Sequence, residues 1–165
     1  MIFTETPLQG AFTIDIEPQA DARGFFSRIF CRDEFAAHGL ETRLVQASIS
    51  SNPRAGTLRG MHYQVAPYEE VKLVRVTGGA VFDVIIDLRP QSATFMRYFT
   101  VVLSAGNRRM LYIPRGFAHG FQTLEDDSEV MYMMSDFYEP SAARGVRWND
   151  VRLIAAVNDH VVGSR

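Results

Sequence analysis

A chain of 165 residues, 47% of them hydrophobic, can bury a core as one domain without a disulfide framework or a structural metal, and residues 1–165 are read here as a single domain. Its 17 basic and 19 acidic side chains leave a net charge of −2, without the excess that binding nucleic acid calls for, although a local basic site for one phosphorylated small molecule remains open. No stretch approaches the roughly 18 apolar residues of a membrane span, and the opening MIFTETPLQGAF has neither the basic nor the apolar region of an export signal, so a cytoplasmic location is expected.

From about residue 11 the chain is a series of short β-branched and aromatic runs: AFTIDIE, TRLVQASIS, TLRGMHYQ, VKLVRVT, AVFDVIIDLR, RYFTVVLS, MLYIP and SEVMYMMSDFY. Gly, Pro, Asn and Asp separate them. No repeat or linker-like tract interrupts the series, and its spacing predicts an all-β sandwich or barrel. RDEFAAHGL predicts one or two helical turns, with Asp33 as the cap at the start and Gly39 at the end. Cys31, just before it, is the lone cysteine, which excludes an intramolecular disulfide and a cysteine cluster for zinc.

In GTLRGMHYQ, residues 56–64, strict strand alternation puts Thr57, Arg59 and Met61 on one face and Leu58, Gly60 and His62 on the other, which looks buried. VKLVRVTGGAVFDVIIDLR reads as a hairpin turning at Thr77, Gly78 and Gly79. In its second run Val81, Asp83, Ile85 and Asp87 share a face, so Asp83 sits among apolar neighbours and needs a partner: a pocket histidine, a backbone group or an arginine.

Of the four histidines, His38 in the helical stretch and His160 in a polar tail read as solvated side chains. His62 and His119 lie in strands flanked by basic residues. In YIPRGFAHGF, Pro114 and Gly116 make a tight turn that feeds a strand carrying His119 inward. An interior holding His62, His119, Arg59, Lys72 and Asp83 is an apolar cavity with convergent polar groups, suited to a small anionic molecule. Histidine titrates close enough to neutrality to remove a proton, and a phenol such as Tyr132 is protonated at pH 7 and can supply the complementary acid; its alternative is a core aromatic with a tied hydroxyl.

RGFF (23–26), GTLRGMHYQ (56–64), KLVRVTGGAVFDVIIDLRP (72–90), YIPRGFAHGFQTL (112–124), the Tyr132 segment and GVRWND (145–150) together resemble the dTDP-4-dehydrorhamnose 3,5-epimerases, in the same order over most of the chain. The resemblance implies a cupin-type β jelly roll with one or two short helices, forming a homodimer and acting without cofactor or metal on a nucleotide-linked 4-keto-6-deoxy sugar. It implies His62 as general base, Tyr132 as general acid, and Lys72 near the C4 oxygen. Arg59, His119 and Gln46 become substrate-pocket positions, and Asp83 a buried supporting carboxylate. Arg23 and Phe26 fall in a segment that reaches the nucleotide, often from the partner subunit.

The chain departs from that family's pattern after Asp150, where VRLIAAVNDHVVGSR offers no position in register for the aspartate that pairs with the base histidine; Asp159 is nearest in sequence. Ser48 stands where asparagine is common, and Met133 where lysine is frequent. Two other readings follow. One is a nucleotide-sugar-binding cupin without turnover. The other is a metal cupin using His62 and His119, which Lys72 opposes and which lacks an H-x-H pair, Gln64 standing two residues after His62; Glu69 and Glu70 read as a solvated turn.

Overall fold

The alternating runs become strands, and all but the small β-hairpin near residues 19–26 sort into two sheets according to where their apolar faces can be covered. The computed structural model describes residues 1–147, 149 and 150. Its elements are β1 (Ile2–Glu5), β2 (Phe12–Asp15), β3 (Gln19–Asp21), β4 (Gly24–Phe26), α1 (Arg32–Ala37), β5 (Gln46–Asn52), β6 (Leu58–Gln64), β7 (Lys72–Gly78), β8 (Ala80–Asp87), β9 (Tyr98–Ser104), β10 (Met110–Ile113), β11 (Phe117–Thr123), β12 (Ser128–Met134) and β13 (Ala143–Gly145). A six-stranded sheet has the order β1-β2-β10-β7-β12-β5, and a five-stranded sheet the order β13-β6-β11-β8-β9. All pairings are antiparallel. This is the jelly-roll sandwich expected from the sequence.

The core between the sheets holds Val74, Val76, Leu111, Ile113 and Val130 from one side and Val81, Ile85, Leu103, Phe117 and Phe121 from the other. The outer face of the six-stranded sheet is covered in part by Phe35 of α1, which packs with Ile14, Leu73, Met110 and Tyr112. The helix starts two residues earlier than a capping Asp33 would give: Asp33 lies inside the first turn, and Cys31, half-buried with a free thiol, is the N-cap without a side-chain cap bond. Gly39 ends it as expected, with its N–H on the Ala36 carbonyl and φ at 68°.

The expected hairpin over 71–89 is not formed. β7 pairs with β10 and β12 in one sheet, whereas β8 pairs with β11 and β9 in the other. The two runs are apolar on faces that meet across the core, so the chain turns a corner at Gly78 and Gly79 instead of folding back side by side. One consequence is that Lys72 and Asp83 reach the same interior from opposing sheets.

Candidate active site

On β7, Val74 and Val76 point into the core, so Lys72 shares their inward face; on β12 the same holds for Tyr132 with Val130. β5, the edge strand beside β12, turns Gln46, Ser48, Ser50 and Asn52 inward, because each is the register partner of an inward residue of β12 or its flank. Opposite them, β8 and β11 present Asp83, His119 and Phe121.

β6 completes this wall by an irregularity that simple alternation misses. His62 is paired with His119, but Arg59 with Phe121, so the register slips by one residue between them. Register partners share a face, as do residues 119 and 121, so Arg59 and His62 lie on the same face and not on opposite ones. Two glycines permit it. A Cβ on Gly60, whose φ is 118°, would stand 2.5 Å from the Cα of Gly120, and one on Gly120 would stand 2.7 Å from the sulfur of Met61. The backbones of β6 and β11 therefore approach more closely than any side chain would allow.

His62 itself is exposed, not buried as expected from its strand face. Only β13 lies outside β6, so an inward side chain there sits at the open side of the sandwich. Even so, partial burial and the neighbouring positive charge of Lys72, His119 and Arg59 lower its pKa below the ordinary histidine value, which favours the neutral, proton-accepting form. Among the described residues no hydrogen-bond partner holds its ring. Asp159 and His160 lie outside the described residues, as does Trp148.

Asp83 and His119 are 0% and 4% exposed, and the His119 Nε2 lies 3.1 and 2.9 Å from the two Asp83 oxygens. Of the partners open to Asp83 on sequence grounds, the pocket histidine is the one found. A carboxylate can only accept, so Nε2 carries the proton of that bond. The His119 ring meets Tyr132 edge-on at 6.1 Å, linking the two sheets. The pKa of the Tyr132 hydroxyl is raised by burial and by the charge of Asp83, with Ser50 and Arg59 opposing. Tyr132 is therefore held as a protonated phenol.

Asn52, fully buried, accepts a 2.6 Å hydrogen bond from Arg59 Nε and donates to the carbonyls of Ser50 and Ser128. It fixes the guanidinium across the gap between the sheets. Gln46 accepts from the backbone N–H of Tyr138 at 2.8 Å. Lys72 is paired with Glu70 at 3.1 Å, so Glu70 does not belong to a solvated turn. Arg23 and Phe26 stand apart: they lie on the β3–β4 hairpin, where Arg23 is paired with Asp21 at 2.6 Å and Phe26 is 77% exposed. Neither hydrogen-bonds to the group around His62. His38 is exposed, stacked on Phe3 at 4.0 Å, as a solvated side chain would be.

Ser50, Asn52 and Glu70 were not singled out from the sequence. The first two leave a signal in QASISSN, where polar residues recur at every second position from Gln46 to Asn52 while Ala47 and Ile49 face out. Among the described residues no group of three or more His, Cys, Asp and Glu side chains is gathered in a way that could hold a metal ion.

Comparison with known proteins identifies the family. The profile of the dTDP-4-dehydrorhamnose 3,5-epimerase family matches residues 5–164. The dTDP-4-dehydrorhamnose 3,5-epimerase of Shigella flexneri is 46% identical over 131 residues, 79% of this chain and 72% of that protein. Among solved structures, the dTDP-4-dehydrorhamnose 3,5-epimerase of Bacillus anthracis, with TDP and PPi bound, superposes with a TM-score of 0.89 at 39% identity, covering 92% of this chain and 87% of that one. The dTDP-6-deoxy-D-glucose-3,5-epimerase of Legionella pneumophila, in complex with dTDP-4-keto-L-rhamnose, gives 0.86 at 35% identity, covering 92% and 80%. The chain belongs to the dTDP-4-dehydrorhamnose 3,5-epimerase family.

Proposed function

We propose that the chain is a cofactor-independent isomerase that epimerises a dTDP-linked 4-keto-6-deoxyhexose at C3, C5 or both, in rhamnose-type deoxysugar biosynthesis. The observation that carries this reading is the facing of His62 and Tyr132 from opposing sheets across a space that also receives Lys72 and Arg59. A C4 ketone acidifies the protons on C3 and C5. His62, kept neutral by its surroundings, removes one of them. The electrons move onto the C4 oxygen as an enolate, and the Lys72 ammonium, donating to that oxygen, opposes the charge as it develops. Tyr132, held protonated, then returns a proton to the carbon from the other face, which inverts it.

Arg59 and Gln46 line the approach, and His119 with Asp83 forms the floor between base and acid. The exposed hairpin bearing Arg23 and Phe26, with Phe25 47% and Phe26 77% exposed, is assigned to the nucleotide end of a second subunit's site in a homodimer. Light scattering that gives a monomer at micromolar concentration would remove this assignment. No cofactor enters the reaction, so a chelator should leave turnover unchanged. The expected location is cytoplasmic; among the described residues no helix is long and apolar enough to cross a membrane.

The test is incubation with dTDP-4-keto-6-deoxyglucose in heavy water, read by NMR at C3 and C5. His62→Ala should abolish deuterium entry at both carbons. Tyr132→Phe should keep exchange while inversion falls about 100-fold, the scale of a lost general acid. Undiminished exchange in His62→Ala would leave His119 as the base, and nucleotide binding without any exchange in the unaltered protein would identify a binding module.

A further inference from the structure

The lysine assigned to the developing oxyanion is held by a carboxylate that no comparison assigns a role. Lys72 Nζ lies 3.1 Å from Glu70 Oε1, with the two side chains only 13% and 11% exposed. The other oxygen of Glu70 accepts at 3.2 Å from Nε2 of Gln64, itself 4% exposed. Gln64 is fixed in turn: its two amide N–H groups are shared among Glu70 and the carbonyls of Tyr68 and Phe137, which lie at 2.9 and 3.2 Å, and its carbonyl accepts from Glu139 N–H at 2.7 Å. The backbone on either side of Glu70 is braced as well. Arg115 Nε donates to the Glu69 carbonyl at 3.2 Å, and the Val71 N–H donates to Ser135 Oγ at 2.8 Å.

A lysine side chain has four rotatable carbons and loses about 2 kcal/mol of rotamer freedom when it is held in one position. Lys72 starts the inward row of β7, flanked in register by Ile113 of β10 and Met134 of β12, and these apolar neighbours offer its ammonium no hydrogen-bond partner. Glu70 is its one ion-pair partner among the described residues. An ammonium has three N–H donors, so one bond to Glu70 fixes the stem and leaves two for an incoming oxygen.

We propose that Glu70, anchored by Gln64, is a positioning residue that aims the Lys72 ammonium at the C4 oxygen of the bound keto sugar. The inference rests on the epimerase reading given above. Glu70 does not touch substrate; it acts through Lys72, so its loss lowers the rate of the chemical step and not the affinity for the nucleotide.

The experiment compares Glu70→Ala, Glu70→Gln and Glu70→Asp with the unaltered protein, in the deuterium-exchange assay and by thermal melting, each also in a Lys72→Ala background. Glu70→Ala should reduce kcat for exchange about 10- to 100-fold with KM within about 3-fold, the scale of an ångström-level misplacement of a catalytic group. Glu70→Gln, which keeps an acceptor for Lys72, should recover most of that loss, and Glu70→Asp, which withdraws the carboxylate by one carbon, should not. In the Lys72→Ala background none of the three should lower the residual rate further, because effects of residues that act as a unit do not add. If Glu70→Ala does not fold, the split between Gln and Asp decides. Wild-type kcat in both Glu70→Ala and Glu70→Asp, or an equal loss with and without Lys72, overturns the proposal. Failure of the unaltered protein to exchange at all overturns the epimerase reading instead.

Discussion

Strand β8 carries two aspartates four residues apart on the same inward face, both 0% exposed, and they are satisfied in opposite ways. Asp87 accepts from the Arg89 side chain at 2.8 and 2.7 Å, from Arg89 N–H at 3.0 Å, and from the hydroxyls of Ser92 and Thr94 at 2.6 Å each. Burial pushes its carboxyl up, yet these bonds together hold it well below the usual carboxylate range. Among the described residues Asp83 has one side-chain partner, His119, from the neighbouring strand. A carboxylate closed by donors that do not titrate near neutrality is a structural knot that ties the β8–β9 connection to the sheet. A carboxylate closed by one imidazole, beside a tyrosine whose pKa its charge raises, belongs to the site proposed above for proton transfer. Burial alone does not tell them apart; the chemistry of the donors does.

The sharpest way to break the contrast is to remove each carboxylate. Asp87→Ala leaves the buried end of the Arg89 network without its acceptor and should destabilise by about 3–5 kcal/mol, lowering the melting temperature by about 10 °C for a chain of this size. The folded fraction should retain its exchange rate. A melting temperature within a degree or two of the unaltered protein would mean that the knot is dispensable.

Asp83→Asn should do the reverse. The amide still accepts from His119, so the fold should lose only about 1 kcal/mol, whereas turnover should fall about 10- to 100-fold, as when a carboxylate that orients a functional histidine is neutralised. Equal turnover with Asn at this position would place Asp83 with Asp87 as purely structural.

Acid should separate the two further. The unfolded Asp87 carboxyl takes up its proton near pH 3.9, while the folded one stays ionised to lower pH. The stability this difference supplies is present above about pH 4 and disappears as pH falls through the depressed folded value. The gap in urea midpoint between the unaltered protein and Asp87→Asn should therefore stay constant from pH 7 to about pH 4 and begin to narrow below it; a gap that widens on acidification contradicts the assignment.

The smallest effect concerns His62. From the sequence, with no aspartate partner in register, the acid limb of the rate would fall near pH 6.5. Its burial and positive neighbours move it lower. NMR titration of the imidazole should give a midpoint below 6.5, and Lys72→Met should raise it. A midpoint above 6.5 would point to a carboxylate on the ring.

Asp87 also shows which features are legible in a sequence. Its side-chain donors lie within seven residues, so DLRPQSAT contains all of them. The same locality makes the strands readable by alternation, the end of α1 by Gly39, and the inward His119 by the turn at Pro114 and Gly116. Ordered motifs identified the family.

What the sequence left undetermined depended on contacts between distant strands. The apolar runs of β7 and β8 are compatible with a hairpin or a corner, and only packing across a shared core selects the corner. Alternation in GTLRGMHYQ separates Arg59 from His62 until the contact of Gly60 with Gly120, 60 positions along the chain, shifts the register and brings them to one face. Glu70 looks like one more charge in a polar turn until Gln64 and Lys72 close around it. Local residue preferences act over a few neighbours and fix elements and turns; which side chains converge is decided by sheet order and register, which no local window contains.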